Sequence, residues 1–166
     1  MPPRALRRSA RAVGGADRLR VIPDAMVIAA GLTSRRAPAS FSRRLIDAAL
    51  DEALDVVLTT TLLDEAREVL VSATFSGRLP ALMAEVLLDA LAAAAVTILD
   101  DRLAEIPRRC ADPDDDYLVE AALRTDALLV TRDDRAGFED VVGLRVGRPG
   151  TALRAAGLLD EPGSEA

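Results

Sequence analysis

Two spacings of apolar residues alternate along the chain, and together they predict its elements. Residues 19–23, with the apolar run AMVIAAGL just beyond, read as a buried strand running into a turn and a helix. In FSRRLIDAALDEAL, residues 41–54, apolar positions recur at helical spacing, with Ser40 or Ser42 as the cap. Residues 55–58 form a short strand, after which Thr60 or Thr61 caps a helix through Leu70. Its apolar face is Leu62, Leu63, Ala66, Val69 and Leu70. Residues 79–95 predict a long helix rich in Ala and Leu, and residues 96–99 another strand. Asp112-Pro113 opens a helix to about Arg124, with Pro in the first turn and acids near the positive end of the helix dipole. Residues 127–130 (ALLV) are a buried strand, and residues 144–146 a weaker one. Strands that alternate with helices predict an α/β fold layered around a mostly parallel sheet. In such sheets, sites form at the carboxyl ends of the strands.

Composition narrows the chemistry more than the fold. The chain has 166 residues, half of them apolar, which suits one domain with a real core. Only 2% are aromatic, so the core is expected to be aliphatic and base-stacking platforms have little to stand on. There is no His, which removes Ser-His-Asp and Cys-His nucleophilic machinery and His-ligated zinc. There is also no Lys, since all 21 basic residues are Arg. Schiff-base chemistry and a Walker-type phosphate loop are thereby excluded. If the protein is an enzyme, its 27 carboxylates must carry the reaction.

The charge is unevenly divided. Residues 1–44 hold ten Arg against Asp17 and Asp24, a balance of +8, and the remainder carries −14. Pro, Gly, Ser and Arg dominate residues 1–17, which read as a disordered leader, or else as an arm for nucleic-acid phosphates. One domain over residues 18–156 and an acidic tail over 157–166 complete the expected organisation. The single Cys110 can form no internal disulfide and suits a reducing cytoplasm. No apolar signal core follows the Arg-rich start, and the apolar stretch 25–32 is too short to span a membrane. A soluble cytoplasmic protein without membrane association is expected.

Four acidic positions stand out by placement. Asp24 ends the first strand, and Glu65 lies on a helix between Asp64 and Glu68. The run Asp112-Pro113-Asp114-Asp115-Asp116 opens a helix, and Asp133 follows the ALLVT strand. Carboxylates are the ligands suited to Mg²⁺ or Mn²⁺. Acids packed in one cleft repel each other unless a cation or protons neutralise them. Taken singly, each has an ordinary reading as a cap, a turn or a solvated helix residue. Strand-end and helix-start positions, however, can face one cleft together. Arg35, Arg36, Arg43 and Arg44 flank that cleft in sequence and could hold nucleic-acid phosphates, or simply face solvent.

The segments VIPDAMVIAAGL, TTLLDEAREVL followed by FSGRLP, and CADPDDDYLVEAALRTDALLVTRD resemble PIN domains, especially the VapC-like toxin components of bacterial toxin–antitoxin pairs. The resemblance runs over about residues 20–150. It implies a three-layer α/β/α fold with a central, mostly parallel sheet of four to five strands. It also implies a metal-dependent endoribonuclease in which a water activated by carboxylate-bound Mg²⁺ or Mn²⁺ attacks an RNA phosphodiester. Asp24, Glu65 and Asp133 match the family's acids, with Thr131 supporting the site. Asp115 suits the third position by its spacing to Asp133, with Asp116 beside it as a further metal ligand. An RNA substrate, a cognate antitoxin and a homodimer are the partners implied.

Departures from the pattern define the alternative. The family usually writes Asp-x-Asn where this chain has Asp24-Ala25-Met26, and Met cannot make the hydrogen bond by which that Asn orients the Asp. Pro23 removes a ladder donor from what should be a central strand, and Arg135 stands where many relatives carry an acid. The alternative is a catalytically degenerate PIN module that binds RNA or a protein partner without cutting. Other α/β readings with clustered Asp, a phospho-receiver or a dehalogenase-like phosphatase, want a Lys that the chain lacks.

Overall fold

Val21, Ile22, Val57, Leu58, Leu129 and Val130 have no exposed surface. Apolar residues at successive positions, without alternation, are what strands covered on both faces require. The computed structural model describes residues 18–34, 40–72, 77, 79–102, 105–134 and 136–160. The expected leader over 1–17, Arg35, Arg36, Arg135 and residues 161–166 of the expected tail lie outside them. In chain order the elements are β1 (Arg20–Pro23), α1 (Ala25–Thr33), α2 (Phe41–Leu50), β2 (Asp55–Thr59), α3 (Thr60–Val71), α4 (Ala81–Ala94), β3 (Thr97–Leu99), α5 (Asp116–Thr125), β4 (Leu128–Val130), β5 (Arg145–Gly147) and α6 (Pro149–Ala155). Short 3-10 turns cover Pro113–Asp115 and Phe138–Asp140.

The five strands form one sheet in the order β3-β2-β1-β4-β5, and every neighbouring pair is parallel. Parallel neighbours need crossover connections, and these are right-handed. The chain moves outward from β1 to β2 to β3, then returns across β1 to β4 and β5. That reversal puts α1 to α4 on one face and α5 on the other, where it packs on β1 and β4. On the first face α1 lies against α2 and α3, and α2 against α4 and α6. The result is the three-layer α/β/α sandwich expected, with five strands and a wholly parallel sheet. Its core is aliphatic: Ile22, Ile28, Leu45, Leu58, Leu88 and Leu129 are among the side chains fully enclosed. Each such residue contributes roughly 1.5–3 kcal/mol by leaving water. Among the described residues no helix is long and apolar enough to cross a membrane.

Several element ends differ from expectation for local reasons. The second helix stops at Leu50, four residues early, because Glu52 takes a left-handed backbone (φ 57°) that turns the chain into β2. Thr59, the last residue of β2, caps α3 through its side chain to the Leu62 N–H, leaving Thr60 and Thr61 free for another task. The Ala/Leu helix begins at Ala81, since Pro80 disfavours helical backbone in the residue before it. Asp112 caps not a full helix but the 3-10 turn, and α5 proper starts at Asp116.

Pro23 proves compatible with the central strand. The Asp24 N–H bonds the Val130 carbonyl, so by alternation the Pro23 nitrogen faces β2. Pairing of β1 with β2 has already ended at Val21–Val56. The missing donor costs no ladder bond.

Candidate metal centre

In an open parallel sheet, the crevice opens where the strand order reverses. Here the reversal lies between β1 and β4, and Asp24 and Thr131 follow those strands directly. Asp24 is the N-cap of α1. Its Oδ1 accepts the Val27 N–H at 2.7 Å, and its charge sits at the positive end of the α1 dipole. Its Oδ2 accepts the Thr131 hydroxyl proton. With that proton committed, Thr131 Oγ1 accepts the Asp133 N–H at 2.9 Å. One hydroxyl thus ties the end of β1 to the loop after β4. Burial raises the Asp24 pKa, the bonds from Thr131 and Val27 oppose the rise, and the charge of Asp133 adds to it. Asp24 therefore owes its orientation to Thr131 and to its own helix, without needing a polar residue at position 26.

Glu65 projects from the second turn of α3 and is half-buried. It is separated from its acidic neighbours by its partner: Tyr117 on α5 donates its hydroxyl to Glu65 Oε2. Asp64, by contrast, pairs with Arg67 and Arg102 on the surface. Burial pushes the Glu65 pKa up, against the Tyr117 bond, and Glu68, Asp114 and Asp101 push the same way.

The adjacent acids at the start of α5 diverge. Asp115 is half-buried, and its pKa is pushed up to about 6, first by burial and then by the charges of Asp112, Glu65, Asp133 and Asp24. It shares one electrostatic environment with all three other expected acids. Asp116 points into the preceding loop. Its Oδ1 accepts the backbone N–H groups of Arg109 and Cys110, each at 2.8 Å, and the Cys110 thiol at 3.2 Å. Burial alone would raise its pKa, but those donors outweigh it and hold the carboxyl below its usual range. Asp115 thus feels the charges of Asp24, Glu65 and Asp133, whereas Asp116 is engaged elsewhere, its bonded oxygen stapling the loop before α5. Burial and the neighbouring Asp116 push the Cys110 thiol up to about 12, which suits a packed residue and not a nucleophile.

Asp24, Met26, Arg132, Asp133 and Asp134 line an open cleft of about 570 Å³. A smaller cavity of about 180 Å³ continues from Thr131 and Asp133 toward Phe138, Gly147 and Arg148. Met26 is 48% exposed and forms part of the cleft wall. Of the expected phosphate contacts, Arg43 binds Asp47 and the Ser34 carbonyl, and Arg44 the Leu158 carbonyl. Among the described contacts neither reaches the acids.

Two residues of the site were not singled out from the sequence. Tyr117 is one. The other is Asp101, past the end of β3, whose Oδ1 accepts from the Thr60 and Thr61 hydroxyls and the Thr61 N–H. It anchors the start of α3, and its charge reaches Glu65. Asp101 follows an apolar strand run, the same signal that marked Asp24 and Asp133. No local signal marks Tyr117, because its partner is 52 positions away.

Among the described residues no three acids stand close enough to form a ready-made ligand cage. The donor chemistry nonetheless fits Mg²⁺ or Mn²⁺. All four groups offer hard oxygens, Asp115 is destabilised by the others' charge, and such ions keep several waters and need few direct carboxylates.

A PIN domain family model matches residues 20–135 of the chain, a span that holds β1 through β4 and all four acids. A search of curated proteins found no match. With that match, the parallel β3-β2-β1-β4-β5 sheet and the acids gathered at its carboxyl edge, the chain belongs to the PIN domain family.

Proposed function

We propose that the protein is a divalent-metal-dependent endoribonuclease. PIN domains are a nuclease-type fold and generally cut nucleic acid with a divalent metal. One observation carries the reading: Asp115 sits in the combined field of Glu65, Asp133 and Asp24, each delivered by a different element. A protein gains nothing in stability from that repulsion, so its use lies in what it attracts.

Asp24, Glu65, Asp115 and Asp133 would hold Mg²⁺ or Mn²⁺. The cation would supply the charge that makes water nucleophilic at neutral pH and offsets the charge developing on the phosphate. Thr131 fixes Asp24 and the Asp133 backbone against each other. Arg132 lines the same cleft and can pair with an RNA phosphate. From its resemblance to toxin components, we extend the reading to a cytoplasmic homodimer neutralised by a cognate antitoxin.

The test is cleavage of single-stranded RNA by the full chain and by Asp24→Asn, with Mn²⁺, with Mg²⁺ and with EDTA. We expect cleavage by the parent protein with metal, and loss of it in EDTA and in the variant. RNA binding without cleavage in every arm would instead support the non-catalytic module, with Met26 in the cleft as its mark.

A further inference from the structure

Tyr117 is 5% exposed, and a phenol so deeply buried needs a partner for its proton. The partner is Glu65 Oε2. Glu65 Oε1 carries no hydrogen bond among the described residues. Tyr117 follows Asp115 by two positions, so the bond links the α5 acid to the α3 acid. Because α3 and α5 flank opposite faces of the sheet, this contact reaches over its carboxyl edge. It sets the separation of two like charges that would otherwise drift apart.

We propose that Tyr117 is the positioning residue of the site: by holding Glu65 Oε2 it fixes the carboxylate plane and leaves Oε1 as the oxygen offered to the divalent cation. The inference rests on the ribonuclease reading, in which Glu65 is a ligand. Outer partners of ligating carboxylates orient them, and losing such a partner typically costs about 10–100-fold in metal affinity. Nothing in this role touches the RNA.

The chain itself supplies the probe. It has one Tyr and no Trp, so its intrinsic emission reports on Tyr117 alone. A phenol bonded to a carboxylate is quenched, and a cation that draws density from Glu65 weakens that bond. Titrating the parent protein with Mg²⁺ should raise the emission with the same midpoint as Mg²⁺ activation of RNA cleavage. In Tyr117→Phe, Mn²⁺ affinity measured by calorimetry should fall about 10-fold or more. The Mn²⁺ needed for half-maximal cleavage should rise in parallel, while KM for RNA and kcat at saturating Mn²⁺ stay near parent values. A folded Tyr117→Phe with parental Mn²⁺ affinity overturns the inference and leaves the ribonuclease reading standing. Parent protein that takes up no metal overturns both. Should the variant fail to fold, the parent emission decides, and an unchanged signal at saturating Mg²⁺ overturns the inference.

Discussion

Thr131 donates its hydroxyl proton to Asp24 across 107 positions of chain. The same oxygen accepts the Asp133 N–H, so a single side chain orders one acid and the backbone of another. Thr131→Val keeps the shape and removes the hydroxyl. It should cost about 1–3 kcal/mol, since the buried Asp24 Oδ2 loses its donor. Urea unfolding reads that loss, and cleavage should fall with it. Thr131→Ser should restore both, and a Val variant with parental stability would refute the relay.

Asp115 makes the metal-free protein sensitive to pH. Its folded pKa of about 6 lies above the ordinary value of 3.8, so its favourable contribution is complete below the ordinary value and lost as pH rises through about 6. Glu65 and Asp24 are shifted in the same direction. Asp116 and Asp101 are shifted down, and their contributions are lost only in stronger acid. In EDTA, stability should therefore decline from about pH 4 to about pH 6. Asp115→Asn should flatten the decline and melt higher than the parent at neutral pH. Mn²⁺ should raise the parent's Tm more at neutral pH than in mild acid, because protons compete for the same oxygens. Thermal melts across pH, with and without metal, check each arm.

Neighbouring acids should fail in different ways. Asp116→Ala removes the acceptor of three donors in the loop before α5 and should cost about 1.5–3 kcal/mol of stability. Mn²⁺ affinity of the folded fraction should remain near the parent's. Asp115→Ala should do the reverse, losing metal affinity without losing stability. Calorimetric titrations paired with denaturant curves separate the two patterns.

Packing of α1 on α2 depends on Gly31. A Cβ there would lie 2.4 Å from Ile46 Cγ1 and 2.7 Å from the Ser42 carbonyl oxygen, and that oxygen belongs to the α2 backbone. Alanine is the better helix former by about 1 kcal/mol, but the overpacking costs about 1–3 kcal/mol and should win. Gly31→Ala should lower the Tm while far-ultraviolet circular dichroism keeps its helical signal. An unchanged or higher Tm would show that α2 moves aside freely.

Apolar runs without alternation marked the buried strands in sequence, because a strand covered on both faces has no polar side to show. The absence of His and Lys left carboxylates as the candidate chemistry, and the acids just past those runs fell where a parallel sheet opens its crevice. Local chain chemistry therefore determined the fold class and the residue types open to a site. Contacts between distant segments decided the rest. Asp115 and Asp116 are neighbours at one helix start, and only the path of the loop at Arg109 and Cys110 engages Asp116 and leaves Asp115 in the field of the other acids. Pro23 was an obstacle in one dimension and is harmless in three, since its missing donor falls where pairing with β2 has ended. Thr131 reaches Asp24 and Tyr117 reaches Glu65 across sequence separations that no periodicity spans. Orientation of a charged group depends on which donors the folded chain brings to it, and that information exists only once the sheet has closed the distance.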